Sequence, residues 1–312
     1  MPQGVHLGAV ICDVLVRLAH SGHLSAYLGT TLRGGFGRAL REVACANPSV
    51  QCRDCLLGWR CAYGYLFDTP ITPHASLMRR YTHAPHPFVL RVLPGQQRSA
   101  GPDQDLKMTL LLFGRAAEYF PYVVFALQRL GEMGLGAERV PFEVNSITTP
   151  EGQLIYEGGK RQPLLPVAPV VLTATVGEPR SGRLGLHFRT PTRLRVEGQV
   201  LRQPDFAAIL SAGLRRLELL CRVHGAGTYD VDAAPLVAQA REVKLVRDAT
   251  SWRDHVRYSQ RQGQNMPLGG LTGWAEFAGE VGQFASLLRL AGLVHIGKDT
   301  AFGHGFCEIE EY

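Results

Sequence analysis

Apolar positions run with little interruption through residues 6–18 (HLGAVICDVLVRL), and their Val, Ile and Leu content predicts a buried strand. The turn residues Ser21 and Gly22 follow, and helical spacing then holds from about Leu32 to Ala44. PFVLRVL and LKMTLLLFG predict a strand pair. AAEYFPYVVFALQRLGEM has the length and spacing of a helix, with Pro121 confined to its first turn or marking a kink. Its aromatic residues Tyr119, Phe120, Tyr122 and Phe125 read as a core cluster. VPFEVNSITTP and GQLIYEGG resemble a hairpin. Pro163, Pro166 and Pro169 mark a joint, beyond which RLGLHFRTPTRLRV predicts a strand and DFAAILSAGLRRLELLCRVHG an amphipathic helix closed by Gly225. Extended stretches at about 242–260 and 267–277, a short helix EVGQFASLLRLAG ended by Gly292, and a closing strand in FGHGFCEIEEY complete the pattern.

The order β-α-β-β-α-β therefore occurs twice. It predicts an α+β chain of two tandem ferredoxin-like (RRM-like) domains, 1–165 and 166–312, the first carrying an insert at 45–61. Such folds host many functions, so the site must carry the functional argument. Of the 312 residues, 46% are apolar and 19% charged, which suits packed cores rather than disordered tails. No apolar run approaches the roughly 20 residues of a membrane span, and the N-terminus lacks the pattern of a signal peptide, so a cytoplasmic protein is expected. The net charge is +6, and 29 of the 33 basic residues are arginine. Arginine's planar donor fork matches phosphate, although the same skew arises from codon bias alone.

Seven cysteines without an export signal argue against a disulfide framework. Four of them, Cys45, Cys52, Cys55 and Cys61, are spaced C-x6-C-x2-C-x5-C, a pattern that predicts a knuckle closing four thiolates round one structural zinc, with an iron–sulfur cluster as second choice. Cys12, Cys221 and Cys307 lie in apolar stretches and read as core. Near the C-terminus, HIGKDTAFGHGF (295–306) sets Gly297, Gly303 and Gly305 among His295, Lys298, Thr300 and His304. Glycines let a backbone approach an anion and offer N–H groups to it. The spacing is not that of a P-loop.

LRGGFGRAL (32–40), the four cysteines continuing into CAYGYLFDTP (61–70), LHFRTPTRL (186–194), LRRLELLCRVHG (214–225), RYSQRQ (257–262), LGGLTG (268–273) and HIGKDTAFGHG (295–305) occur in one order. In that ordered set the chain resembles the CRISPR-associated pre-crRNA-processing endoribonucleases of the RAMP superfamily. The resemblance implies two ferredoxin-like domains and the cutting of CRISPR repeat RNA without a catalytic metal. In that reaction the 2′-hydroxyl attacks the adjacent phosphate, leaving a 2′,3′-cyclic phosphate and a 5′-hydroxyl. Such chemistry needs a base, an acid and donors to the phosphorane.

The resemblance further implies a catalytic histidine on or near the first helix, with Tyr or Lys nearby. Here that helix carries no histidine and offers Arg33 and Arg38; the resemblance sets Arg38 where relatives carry His, and an arginine is a poor base. His20 and His23 precede the helix; His23 is the expected base, with Tyr27 as helper and Arg38 on phosphate. His295 and His304, which flank the glycine loop, are the competing choice, with Lys298 as transition-state stabiliser. His255 precedes RYSQRQ, whose Arg257, Tyr258, Arg261 and Gln262 are expected to face RNA, as are Arg33, Gly297, Gly303, His304 and Gly305. Alternation along a strand places Arg257, Ser259 and Arg261 on one face. Trp252, Tyr258, Phe302 and Phe306 are candidate stacking platforms. Three functions compete: a processing endoribonuclease for antiviral defence; a catalytically inactive RAMP subunit that holds crRNA with other effector subunits; and a zinc-stabilised scaffold.

Overall fold

The computed structural model describes residues 3–22, 24–25, 27–69, 84–94, 105–160, 164–254, 256–259 and 264–312, with backbone alone at 53, 59, 256–259, 264 and 265. The chain is mixed α+β with antiparallel sheets and forms two compact units. One comprises Gly8–Val170 with Val223–Ala226, the other Met1–Leu7, Val171–Arg222 and Gly227–Tyr312. They are called the N-terminal and C-terminal units below.

The N-terminal unit is built on β1 (Gly4–Leu18), α1 (Leu28–Ala44), β2 (Phe88–Arg91), β3 (Asp105–Phe113), α2 (Phe120–Met133), β4 (Phe142–Thr148) and β5 (Leu154–Glu157). Its sheet runs β2-β3-β1-β4-β5. β1 is central, pairing Ala9–Arg17 with Phe113–Asp105 on one side and Asp13–Leu18 with Thr148–Phe142 on the other. Val10, Cys12, Val14 and Val16 are almost fully buried, as a central strand requires. α1 packs Leu28, Leu32, Phe36 and Leu40 inward, a repeat of four that lays one apolar stripe on the core. Pro121 occupies the first turn of α2, where its missing N–H is tolerated. Of the expected aromatic core on this helix, Tyr119 and Phe120 are buried but Tyr122 and Phe125 are exposed, because successive helical positions diverge by about 100° in the usual helix geometry.

The C-terminal unit contains β6 (Val170–Thr175), β7 (Gly182–Thr192), β8 (Arg195–Val196), β9 (Gln199–Val200), α3 (Phe206–His224), β10 (Gly227–Asp230), α4 (Ala233–Ala240) and β11 (Lys244–Arg253). β12 (Val256–Ser259), β13 (Gln264–Pro267), β14 (Gly270–Gly279), α5 (Gly282–Leu293) and β15 (Cys307–Glu311) complete it. Its principal sheet is β11-β14-β7-β15, and β12 and β13 form a separate hairpin. Phe206, Phe277 and Phe284 meet at ring separations of 5.1 and 5.4 Å, locking α3 and α5 onto β14. The first residues of β1 belong here because Gly4–Leu7 pair with Asp230–Gly227. Among the described residues no helix is long and apolar enough to cross a membrane.

Candidate functional site

In the N-terminal unit the site is assembled on α1 and on the segment that follows the cysteines. Tyr27 caps α1 and is half-buried; Arg33 is half-buried and Arg38 exposed on the helix. His20 is exposed, its Nδ1 2.9 Å from the carbonyl of Ser21. His23, His255, Arg261 and Gln262 lie outside the described residues.

Short 3-10 turns at Cys52–Asp54 and Gly58–Arg60 lead into a single π turn, Gly64–Asp68. Gly64 must be glycine, since a Cβ there would collide with the carbonyl oxygen of Gly58. Its N–H donates to Cys61 Sγ at 3.2 Å, so the cysteine segment braces the π turn. The four thiols are free and half-buried. Among the described residues no group of three His, Cys, Asp or Glu side chains is arranged to hold a metal. Three of the four thiols act on one another: burial, Asp68, Cys61 and Cys45 push the Cys52 thiol up from its ordinary value.

The π turn presents Tyr65, Phe67 and, at its end, Thr69 to two histidines that sequence reasoning did not select. Tyr65 Oη lies 3.0 Å from His224 Nδ1, and His224 Nε2 donates to the carbonyl of Pro85 at 2.7 Å. Burial pushes the Tyr65 hydroxyl well above its ordinary value, so it stays protonated and donates to Nδ1. The Arg115 guanidinium lies 5.3 Å from the Tyr65 ring centre and donates to Tyr119 Oη at 3.1 Å. Tyr65, Arg115 and His224 line a cavity of about 600 Å³ with Thr69 and Glu118.

The second histidine is His86. Arg33 Nη2 lies 2.9 Å from its Nε2, and Thr69 Oγ1 3.0 Å from its Nδ1. The Arg33 guanidinium also sits 4.7 Å over the Phe67 ring. Nothing in the spacing of HAPHPFVL marks His86: it precedes β2, 53 positions from Arg33, and only the packing of β2 against α1 brings the two together.

The glycine loop of the C-terminal unit is a closed backbone structure. His295 and His304 are buried, Lys298 is exposed, and Gly303 and Gly305 are buried. His295 Nδ1 lies 2.7 Å from the carbonyl of His304, and its ring stacks on Phe306 at 5.6 Å. The amides of Lys298, Gly303 and Gly305 donate to the carbonyls of Arg193, Thr300 and Pro191 at 3.0, 2.9 and 3.0 Å. These three N–H groups are engaged by carbonyls of the same unit. Gly305 has φ +86°, and a Cβ there would strike the backbone of Ile296. Close packing therefore accounts for this glycine.

Arg257 and Tyr258 lie on β12 of the hairpin, with Arg257 opposite Met266. Trp252 is half-buried, donates to Asp254 at 2.7 Å, and carries the Arg202 guanidinium 4.0 Å from its ring centre. Phe302 and Phe306 are half-buried.

Comparison with known proteins adds to this geometry. An uncharacterized protein of Archaeoglobus fulgidus is 25% identical over 292 residues, covering 92% of this chain and 93% of that one. The Cas6 of Thermus thermophilus shares the fold at a TM-score of 0.53 and 16% identity, covering 97% of this chain and 99% of that one. Another Cas6, solved as a product complex, does so at 0.51 and 18% identity, over 96% and 100%. Residues 8–167 match the AF_1859_N family model, an N-terminal domain, and residues 186–307 match that of the CRISPR-associated endoribonuclease Cas6. In chain order, then, the protein belongs by its first half to the AF_1859_N family and is similar over residues 186–307 to the CRISPR-associated endoribonuclease Cas6.

Proposed function

We propose that this chain is a metal-independent endoribonuclease that cuts CRISPR repeat transcripts by 2′-hydroxyl attack and releases crRNA. The observation that carries the reading is the match of residues 186–307 to the Cas6 endoribonuclease family. The geometry agrees with it. In each unit four strands follow the order second, third, first, fourth, with two helices in the first unit and three in the second. We read the units as paired ferredoxin-like domains. The first helix presents arginines at positions 33 and 38, suited to a phosphodiester, and an imidazole lies on Arg33.

Histidine suits the proton transfers because its ordinary pKa lies near neutrality. Arginine and lysine donors suit the charge that builds on phosphorus. His23 with Tyr27 remains the pair that the resemblance favours, and Lys298 an exposed cation suited to phosphate. Zinc on Cys45, Cys52, Cys55 and Cys61 would brace the π turn and take no part in the reaction. A second reading, a crRNA-binding subunit without cleavage, is favoured by the absence of histidine from the first helix itself.

Labelled CRISPR repeat RNA incubated with the chain in EDTA separates the readings. Cleavage at one position with a 2′,3′-cyclic phosphate end supports the endoribonuclease. Retention of intact RNA supports the binding subunit, and indifference to RNA removes both.

A further inference from the structure

We infer that His86 is the general base of the cleavage centre and that Arg33 uncovers it when phosphate binds. The inference deepens the proposed endoribonuclease and rests on it. That reaction needs a base, and α1 carries no histidine of its own. The fold brings one from the approach to β2, with Nε2 2.9 Å from Arg33 Nη2.

The hydrogen bonds define its form. A guanidinium only donates, so His86 Nε2 accepts and the ring is neutral. The proton then sits on Nδ1, which donates to Thr69 Oγ1; that hydroxyl donates in turn to the carbonyl of Leu66 at 3.2 Å. The chain from Arg33 to Leu66 therefore fixes the tautomer that a base requires, with its lone pair on Nε2.

The surroundings hold the ring in place. Phe67 and Phe88 lie 6.2 and 5.8 Å from it, centre to centre. Thr69 is 1% exposed and has φ +29°, a strained conformation for a β-branched residue, directly after the π turn. Backbone strain and π turns both gather at functional sites. Here the strain places the Thr69 hydroxyl between Leu66 and His86.

A phosphodiester is a better acceptor for a guanidinium than a neutral imidazole, because the bond becomes charge-assisted. Arg33 therefore transfers its Nη2 donor to a non-bridging oxygen of the bound RNA, and the His86 lone pair is released beside the ribose. His86 Nε2 then takes the proton of the 2′-hydroxyl. The 2′-oxygen forms its bond to phosphorus as the bond from phosphorus to the 5′-oxygen breaks. The 5′-oxygen leaves with that electron pair and takes a proton from water. The imidazolium returns its proton to solvent. Arg33, still on the phosphoryl oxygen, offsets the charge of the phosphorane.

The test is single-turnover cleavage of repeat RNA in EDTA, with RNA affinity and melting temperature measured on the same proteins. His86→Ala is expected to slow cleavage by about 10²- to 10⁴-fold with affinity essentially kept, and added imidazole to restore part of the rate. His86→Gln, which preserves size and hydrogen bonding but cannot shuttle a proton, is expected to melt like wild type and cleave as poorly as His86→Ala. Arg33→Ala is expected to lose both affinity and rate. If wild type cuts and His86→Gln cuts equally fast, the assignment falls and the endoribonuclease stands. If wild type binds repeat RNA and never cuts it, both fall.

Discussion

Phe36→Ala is the most informative structural perturbation, because Phe36 joins the first helix to the elements that carry the proposed base. The ring is fully buried and lies 5.6 Å from Phe67 and 5.7 Å from Phe88, centre to centre. Truncation removes roughly 150 Å² of buried apolar surface, worth about 4 kcal/mol at 25 cal/mol per Å². Two of the cavity walls are aromatic rings held by other contacts, so collapse into the space is limited. The loss should then fall in the upper part of the usual range for Phe→Ala, about 3–5 kcal/mol. At about 2–4 °C per kcal/mol for a unit of this size, the transition of the N-terminal unit should drop by roughly 8–16 °C. Differential scanning calorimetry and urea unfolding both read this. A double-mutant cycle with Phe67→Ala should add a coupling of about 0.5–1.5 kcal/mol. A loss below about 1 kcal/mol, or additive single mutants, would refute the packing argument.

The remaining predictions concern the loop, the thiols and the helix. Gly305→Ala forces a side chain into a left-handed conformation against the Ile296 backbone. It should destabilise the C-terminal unit by at least about 2 kcal/mol; an unchanged melting temperature would mean that packing does not explain this glycine. Elemental analysis of the untreated protein is expected to find one zinc per chain, lost in a Cys52→Ser, Cys55→Ser variant; a metal-free wild type would leave the knuckle as free thiols. Burial pushes the thiols of Cys12 and Cys307 up to about 12 and that of Cys221 to about 11. These three stay protonated at pH 8, so after chelation a thiol reagent should count four cysteines in the native chain and seven in denaturant, with Cys52 the slowest of the four. Native labelling of Cys307 would contradict that burial. Arg38→Ala removes an exposed cation from α1 and should leave melting unchanged while flattening the salt dependence of RNA binding by about one phosphate contact. An unchanged slope would take Arg38 off the RNA.

The elements were largely legible because their signals are local. The Val, Ile and Leu run of β1, the apolar repeat of α1, Pro121 at the start of α2 and Gly225 after α3 each announce a backbone state. Tyr122 and Phe125 misled because apolarity alone does not say which face of α2 is covered. The site was much less legible. Arg33 was visible on its helix, but His86 and His224 reach the π turn only through the packing of distant segments. The residue types of the glycine loop say that a backbone comes close there, but not that the amides of Gly303 and Gly305 bond to carbonyls of their own unit.

The central claim is that this chain cuts RNA by the attack of a ribose 2′-hydroxyl, and one substrate tests it most directly. Repeat RNA carrying a single 2′-deoxynucleotide at the cut position removes the nucleophile and leaves every phosphate in place. In EDTA, the all-ribose RNA should be cut to a 2′,3′-cyclic phosphate end, and the deoxy-substituted RNA bound with equal affinity and left whole. Equal cutting of both, or of neither, would contradict the account.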